Sequence, residues 1–300
     1  MSTFVVTGAS SGIGRATAHA LAAAGHHVFA TVRKEQDAAS FRTDERITPL
    51  FLDVTSPDQI AAAVDTVGAR VGDAGLDGLI NNAGTGSALP MELMQVDELR
   101  RQLEVNTIGQ LAVTQAFLPL LRQAQGRIVM IGSIGVRATP PFTGPIVVPK
   151  AALTAATHAL RQELAGSGIR TILVDPATIH TDAGDKLARD AERIEQGFST
   201  AERSRYGTAF HAMASRFVGM HAHGSRPEVV ADTIVRALTT RRPRARYTVG
   251  KNALPLSVIA RLPIPLADAL RRRVFGLPSR PSSASPERQG RPRSLKKPRL

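Results

Sequence analysis

The chain has 300 residues, of which 43% are hydrophobic and 21% are charged, a balance typical of a globular protein with a sizeable core. It contains no cysteine, which excludes disulfides, a thiolate nucleophile and a cysteine-ligated zinc site. The net charge of +13 would suit a nucleic-acid binder, but two Tyr and no Trp leave few aromatic platforms on which bases stack.

The first residues, MSTFVVTGASSG, lack a basic stretch followed by a long apolar run, so we expect no signal peptide and a cytoplasmic protein. They predict instead a strand that leads into the glycine-rich loop TGASSGIG, which in turn opens a helix. Gly8, Gly12 and Gly14 would allow a tight turn and the close approach of a pyrophosphate to the positive end of that helix. An ordinary strand-to-helix turn is the alternative.

Short β-branched runs then alternate with segments long enough for helices. The runs are TFVVT, HHVFATV, ITPLFLDV, LDGLINN, RIVMIGS and IRTILVD, and a last strand, ARYTV, follows the helical pattern RPEVVADTIVRAL. Apolar runs without polar alternation indicate strands buried on both faces. The sequence therefore predicts an α/β fold with a doubly wound parallel sheet of the Rossmann type, in three α/β/α layers and one domain over residues 1–277.

The C-terminal third departs from this pattern. Residues 182–224 are polar and poor in strand signals, and we expect an irregular, mobile substrate cover there. Residues 251–277 read as an apolar and basic helical segment, too interrupted by prolines and Arg261 to span a bilayer. Residues 278–300 carry seven basic residues against one Glu and predict a disordered tail, with attraction to anionic lipid or nucleic acid as the alternative.

Several motifs in this order resemble the short-chain dehydrogenase/reductase family. TGASSGIG is similar to its cofactor loop, NNAG at 81–84 to its fourth-strand motif, and D-P-A followed by Thr181 to its P-G-x-x-x-T segment, with Ala in place of Gly. The resemblance implies catalytic roles for Ser133 in IGSIG, Asn106 in VNTIG and Lys150 in VPKAA. The C-terminal part is most similar to the hydroxysteroid and retinol dehydrogenase-like branch. The cofactor contacts that the resemblance implies are Gly8, Ser10, Ser11, Gly12, Ile13, Gly14, Asp53, Val54, Asn82, Ala83, Gly84, Lys150, Pro176, Ala177 and Thr181.

The end of the second strand addresses the choice of nicotinamide cofactor. A carboxylate there would hold the 2′-hydroxyl of NAD, whereas a basic residue suits the 2′-phosphate of NADP. The matching position is Val32, followed by Arg33 and Lys34. Since no carboxylate repels the phosphate and arginine can grip it bidentately, we expect NADP(H) over NAD(H). Arg33 as plain surface charge is the alternative.

The stretch TGPIVVPKAA, residues 143–152, departs from the family. The family pattern places a Tyr thirteen residues after the serine and a Lys four further on; here those positions hold Ile146 and Lys150. In the family the phenol exchanges a proton with the substrate oxygen, and isoleucine offers none. Pro149 predicts that the helix begins near that residue, which would leave Ile146 in a loop.

Histidine is the remaining residue type that exchanges protons near neutral pH. We expect His211, His221 and His223 to be solvated loop residues and no metal site to form. His180 lies nearest the predicted nicotinamide pocket, and is the best candidate for a replacement acid.

Three functions are compatible with these features. The first is an NADP(H)-dependent oxidoreductase acting on a hydrophobic alcohol or ketone, impaired by the missing Tyr. The second is a catalytically silent NADP(H)-binding relative that serves as a sensor or subunit partner, and the third is a peripheral binder of anionic surfaces through the basic tail. The family resemblance also implies a homo-oligomer built on the two long helices that contain Asn106 and Lys150.

Overall fold

The computed structural model describes residues 1–275 and 277. The strands are β1 (Thr3–Val6), β2 (His27–Val32), β3 (Ile47–Phe51), β4 (Gly78–Asn81), β5 (Arg127–Ile131), β6 (Arg170–Pro176) and β7 (Arg246–Val249). They form one seven-stranded sheet in the order β3-β2-β1-β4-β5-β6-β7, and every neighbouring pair is parallel. The predicted fold class, a doubly wound parallel sheet of the Rossmann type, is confirmed. The strand order reverses between β1 and β4, which is where such sheets bind ligands.

Helices flank this sheet. They are α1 (Gly12–Ala23), α2 (Glu35–Ala39), α3 (Pro57–Val71), α4 (Val96–Leu103), α5 (Gly109–Ala124), α6 (Gly135–Ala138), α7 (Gly144–Glu163), α8 (Asp182–Gln196), α9 (Thr200–Glu202), α10 (Thr208–Ala222), α11 (Pro227–Thr239), α12 (Ala253–Ile259) and α13 (Ile264–Val274). Single turns of 3₁₀-helix occur at Gly72–Ala74, Met91–Leu93 and Ala165–Ser167, and π-turns at Glu104–Ile108 and Arg203–Gly207.

Two apolar layers hold the helices to the sheet. Successive strand residues point to opposite faces, so Val6 joins a core with Leu21 of α1 and Ile234 of α11. Its neighbour Val5 joins the opposite core with Phe117 of α5. Both layers are fully buried at these positions, which explains why the strand sequences lack polar alternation.

Residues 182–224 are helical, so the expectation of an irregular segment was wrong. In α8 the apolar residues Leu187, Ala191 and Ile194 fall on one face, and they pack with Phe210 and Met213 of α10 in a separate apolar cluster. The polar remainder of α8 is its solvent face. Because the segment is polar on average, its composition did not indicate that α8 and α10 pack together through apolar faces.

The C-terminal segment forms α12 and α13, whose residues Leu256, Ile259 and Ala267 pack against Ile134 and Ala138 near the end of β5. Among the described residues, none of the helices is long and apolar enough to cross a bilayer. The tail predicted to be disordered, residues 278–300, lies outside the described residues.

Candidate active site

The glycine loop between β1 and α1 is built around close backbone contacts. Gly8 and Gly12 have φ of +62° and +52°, the left-handed region that favours glycine. A Cβ on Gly8 would lie 2.7 Å from the Ala83 Cα, and one on Gly14 would collide with the Gly8 carbonyl oxygen and lie 2.5 Å from Asn82 Nδ2. These contacts leave no room for side chains at Gly8 and Gly14.

A hydrogen-bond network fixes this loop to the end of β4. Thr7 Oγ1 accepts from the N–H groups of Asn82 at 2.9 Å and Ala83 at 3.0 Å. The Asn82 side chain in turn donates to the carbonyls of Thr7 at 2.9 Å and Gly8 at 3.0 Å. Sequence reasoning assigned Asn82 and Ala83 but missed Thr7 as their support, although its place at the head of the glycine motif was a signal.

The N-terminus of α1 faces out of this loop. Ser11 is its N-cap but makes no side-chain cap hydrogen bond, and the first turn contains no acidic residue. Its first N–H groups and positive dipole end are therefore available to a phosphate. Ser10 and Ser11 are half-buried beside it, whereas the Ile13 side chain packs on the core and leaves only its backbone to a ligand.

The basic residues predicted to read the cofactor lie beyond the end of β2. The Arg33 side chain is 73% exposed, and its Nη1 lies 3.9 Å from Asp53 Oδ2, too far for a hydrogen bond. Asp53 is held by the N–H and hydroxyl of Thr55, at 3.0 and 2.7 Å. Burial alone would raise the pKa of Asp53, but the Thr55 hydrogen bonds and the Arg33 charge lower it below its usual value. Lys34 is exposed and Val54 is buried.

Asn106 sits in the π-turn Glu104–Ile108 that joins α4 to α5. Its Oδ1 accepts from Thr85 N–H at 3.0 Å, and its Nδ2 donates to the carbonyls of Thr85 and Gln102, both at 2.8 Å. A π-turn widens the helix by one residue, often at a functional site. Here the buried Asn106 amide is thereby bonded to the segment that follows β4.

Lys150 reaches the same region from α7. Its Nζ donates to the Ile131 carbonyl at 2.7 Å, at the end of β5 and two residues before Ser133. A Cβ on Gly84 would lie 3.7 Å from this Nζ and 2.8 Å from Asn106 Oδ1, so Gly84 brings the two predicted residues together. Burial lowers the pKa of Lys150 from 10.5 to about 8, against the attraction of Asp175.

Ile146 lies in the first turn of α7, one turn before Lys150 on the same helix face. The prediction that this helix begins near Pro149 was wrong, because α7 starts at Gly144. Pro149 removes one helical N–H, but Pro149 is buried and its carbonyl accepts from the Thr107 hydroxyl at 2.8 Å. Tertiary packing thus outweighs the local preference.

Ser133 is half-buried after β5, and its Oγ accepts from the N–H of Gly135 at 3.0 Å. Beneath it Asp175 is fully buried, and its Oδ2 accepts from Arg246 Nε at 2.5 Å. Burial raises the pKa of the Asp175 carboxyl, and the charges of Arg246 and Arg137 oppose this effect.

The segment after β6 closes the site from the other side. Pro176 accepts from Ile134 N–H at 3.1 Å, and Ala177 donates to the Val249 carbonyl at 2.8 Å. Thr181 caps α8 through its side chain, and a Cβ on Gly12 would lie 3.3 Å from Thr181 Cγ2. Of the predicted P-A-x-x-x-T residues, Thr181 therefore meets the glycine loop, whereas Pro176 and Ala177 bond to the segments after β5 and in β7.

The histidines are divided by their burial. His211 and His223 are exposed as expected, although His211 lies on α10 and not in a loop, and His221 on the same helix is only 7% exposed. Its assignment as a solvated loop residue was wrong because α10 packs against α8. His180 is exposed in the segment next to Thr181.

The sheet topology and the glycine loop define a dinucleotide-binding α/β protein with a lysine and a serine at the carboxyl edge of its sheet. A family model described as short chain dehydrogenase matches residues 2–192. Human 17-beta-hydroxysteroid dehydrogenase type 6 is 34% identical over 286 residues, which cover 91% of this chain and 89% of the human protein. Retinol dehydrogenase 16 of Rattus norvegicus is 34% identical over 277 residues, covering 88% of this chain and 86% of the rat protein.

The crystal structure of a short-chain dehydrogenase from Streptomyces avermitilis has a TM-score of 0.71 at 26% identity, covering 92% of this chain and 95% of that one. The chain belongs to the short-chain dehydrogenase family, in the branch similar to hydroxysteroid and retinol dehydrogenases. Proteins of this family are oxidoreductases that use nicotinamide cofactors.

Proposed function

We propose that this protein is an NADP(H)-dependent oxidoreductase acting on a hydrophobic alcohol or ketone, with slow turnover because its site has no phenol. The observation that carries the proposal is the position of Ile146. It lies one helical turn before Lys150 and packs on Gly86, which follows the Thr85 backbone held by Asn106. The family resemblance implies a phenol at this position, where isoleucine offers no proton.

The preference for NADP(H) rests on the end of β2. Val32 is buried and apolar, so no carboxylate stands where the ribose of NAD would be held. The Arg33 guanidinium is exposed, and 3.9 Å separates it from Asp53. It can therefore turn toward a 2′-phosphate at little cost, because an exposed ion pair of that length contributes almost nothing.

The cofactor-binding groups of this chain fit a dinucleotide. The glycine loop lets a pyrophosphate approach the uncapped N-terminus of α1. Thr181 packs against Gly12 at the same end of this helix. Lys150, beside Gly84, would hold the ribose as the family resemblance implies. The bound nicotinamide supplies or accepts hydride, and every other step falls to the protein's own groups.

Proton transfer is the step that the substitution weakens. With a pKa of about 8, Lys150 carries its proton at neutral pH and can pass it through a water to a substrate oxygen, while Ser133 can hydrogen-bond that oxygen. General acid–base catalysis by one positioned side chain is worth about a hundred- to ten-thousandfold. We therefore expect turnover below that of a Tyr-containing relative by this factor, with cofactor binding retained.

A silent NADP(H)-binding protein is the second candidate. The Ile146 side chain packs on Gly86, with its Cδ1 only 2.6 Å from where a Cβ on Gly86 would lie. It puts a hydrocarbon where the family resemblance implies the proton donor. A protein with isoleucine at this position can bind the cofactor without catalysing the reaction. Such a protein would act through its bound state, as a sensor or a subunit partner.

Two measurements separate these functions. Fluorescence titration with NADPH and NADH should show tighter binding of NADPH, and binding of neither would refute both candidates. Turnover is then measured with NADP(H) over steroids, retinoids and simple ketones or alcohols. Slow turnover that saturates with substrate supports the oxidoreductase, whereas binding with no turnover on any of them identifies the silent protein.

A further inference from the structure

A cluster of three metal-ligating side chains lies outside the residues assigned to catalysis. His180, Asp185 and His221 each direct one ligand atom into a common space, and these atoms all lie within 4.8 Å of one another. His221 Nε2 is 3.7 Å from Asp185 Oδ1, and the two imidazole rings have centroids 5.3 Å apart. They come from three different parts of the chain: the segment after β6, α8 and α10.

His221, the most buried of these ligands, packs closely against the backbone of α8. A Cβ on Gly184 would collide with the His221 ring, 2.5 Å from Nδ1 and closer to its other atoms, so the first turn of α8 accepts the imidazole only because residue 184 is glycine. Phe217 stacks on the same ring, with an interplanar angle of 6° and centroids 6.0 Å apart. The His221 ring is thus packed against both the α8 backbone and an aromatic side chain.

The hydrogen-bond contacts of His221 Nε2 are long. This nitrogen lies 3.2 Å from the N–H nitrogen and 3.1 Å from the carbonyl oxygen of Thr181, both at the long end of the hydrogen-bond range. One nitrogen cannot accept from the first and donate to the second in the same tautomer. With the proton on Nδ1, the Nε2 lone pair accepts from the Thr181 N–H at 3.2 Å, and a cation at Nε2 would replace this long hydrogen bond.

We propose that His180, Asp185 and His221 bind a divalent first-row transition metal, with Zn²⁺ as the expected ion. Two imidazoles and one carboxylate, with a fourth position open to water, are a common tetrahedral zinc set. Bonds of 2.0–2.1 Å place neighbouring ligand atoms about 3.4 Å apart. The His221–Asp185 distance of 3.7 Å is close to this value, and the exposed His180 ring can rotate to complete the set.

The metal would hold α8 and α10 against the segment after β6 that carries Thr181. Thr181 lies between two ligands in sequence, caps α8 and contacts Gly12 of the cofactor loop. Bridging α10 to α8 and to residue 180 therefore holds Thr181 against that loop. Binding of the ion is independent of the proposed oxidoreductase activity.

The chain supplies its own control for an ordinary histidine–carboxylate pair. His211 Nδ1 lies 3.1 Å from Glu195 Oε2 on the exposed face of α8 and α10. That pair is shorter than the His221–Asp185 pair but is not part of a three-ligand group among the described residues. If a histidine near a carboxylate were enough to bind the ion, His211→Ala would weaken Zn²⁺ binding as much as His180→Ala.

The test is metal binding to tag-free, chelator-treated protein by equilibrium dialysis against Zn²⁺, with metal quantified by mass spectrometry. We expect one ion per chain. We expect Asp185→Asn and His180→Ala each to weaken Zn²⁺ binding at least tenfold, and His211→Ala to leave it unchanged. The Asp185 side chain is half-exposed and that of His180 is exposed. Co²⁺ in place of Zn²⁺ should give the intense visible absorption of a four-coordinate ion, lost in Asp185→Asn.

Three results would overturn the proposal. One is the absence of stoichiometric Zn²⁺ binding by the wild-type chain. Another is binding that persists in the Asp185→Asn, His180→Ala double variant. The third is an equal loss of binding in His211→Ala, which would identify scattered surface histidines as the sites. Circular dichroism of each variant verifies that it is folded.

Discussion

Gly86 and Ile146 face each other across the candidate active site, since a Cβ on Gly86 would lie 2.6 Å from Ile146 Cδ1 and 2.7 Å from Cγ1. Gly86 follows the Thr85 backbone that Asn106 binds through both its amide atoms. The side chain at position 146 therefore points to the segment after β4, next to the buried lysine and asparagine. The Ile146 side chain already occupies the space that a side chain at residue 86 would need, so the two positions are packed as a glycine and a branched residue.

Replacing Gly14 with Ala should damage both the fold and cofactor binding. Its methyl group would collide with the Gly8 carbonyl and the Asn82 side chain, and overpacking of this kind costs about 1–3 kcal/mol. Because Gly8 belongs to the cofactor loop, we expect NADPH affinity to fall more than about tenfold. Gly166→Ala is the matched control, with nothing within 4 Å of its Cβ. Denaturant titration and NADPH fluorescence measure the two effects, and equal results for both variants would contradict the close-packed loop.

Replacing Arg33 with Gln tests the cofactor preference. A hydrogen bond to a charged partner contributes about 1.5–3 kcal/mol, so the Kd for NADPH should rise roughly 10- to 100-fold. NADH lacks the 2′-phosphate, and its Kd should change little. Arg100→Gln removes an equally exposed arginine that pairs with Asp97 and should affect neither Kd. A parallel loss of NADPH and NADH binding in Arg33→Gln would contradict a phosphate-reading role.

Buried Lys150 makes the stability of this protein depend on pH. Burial lowers its pKa from 10.5 to about 8, so between these values the unfolded lysine binds a proton that the folded one has released. Stability must then rise with pH in this window. Relative to Lys150→Met, the wild-type free energy of unfolding should increase by roughly 2–3 kcal/mol from pH 8 to pH 10. Denaturant titrations at several pH values measure it.

Lys251→Met serves as the control for that pH series, because Lys251 is exposed. Its unfolding free energy should run parallel to that of the wild type across the same range. If the Lys150→Met curve also runs parallel to the wild type, the lysine is not buried as an unfavourable charge.

Local signals in the sequence were enough to predict the parallel sheet and the glycine-rich turn between β1 and α1. The central strands β1, β2, β4 and β5 are mostly apolar because both of their faces are covered, so their pattern predicts a parallel sheet. The glycine loop was predicted from its motif alone, because the contacts that require glycine at these positions include Ala83, Asn82 and Thr181, which are distant in sequence.

Contacts between distant segments could not be predicted in this way. Gly86 and Ile146 are 60 positions apart, and no local pattern indicates that they touch. The helical state of residues 182–224 depends on α10 covering the apolar stripe of α8, and the same packing buries His221. Pro149 inside α7 is a case where tertiary contacts override a local preference.

The proposed function depends most on one property of the site, that Ile146 stands where the family resemblance implies a phenol as the proton donor. Turnover with NADP(H) of Ile146→Tyr, beside Ile146→Phe as a ring without a hydroxyl, tests this property most directly. Because α7 already runs from Gly144, the Ile146→Tyr variant should work without any change at Pro149 and raise kcat about a hundred- to ten-thousandfold. The Kd for NADPH should stay unchanged, and Ile146→Phe should be no faster than wild type. Equal rates for the Tyr and Phe variants, with both folded and NADPH bound, would contradict it.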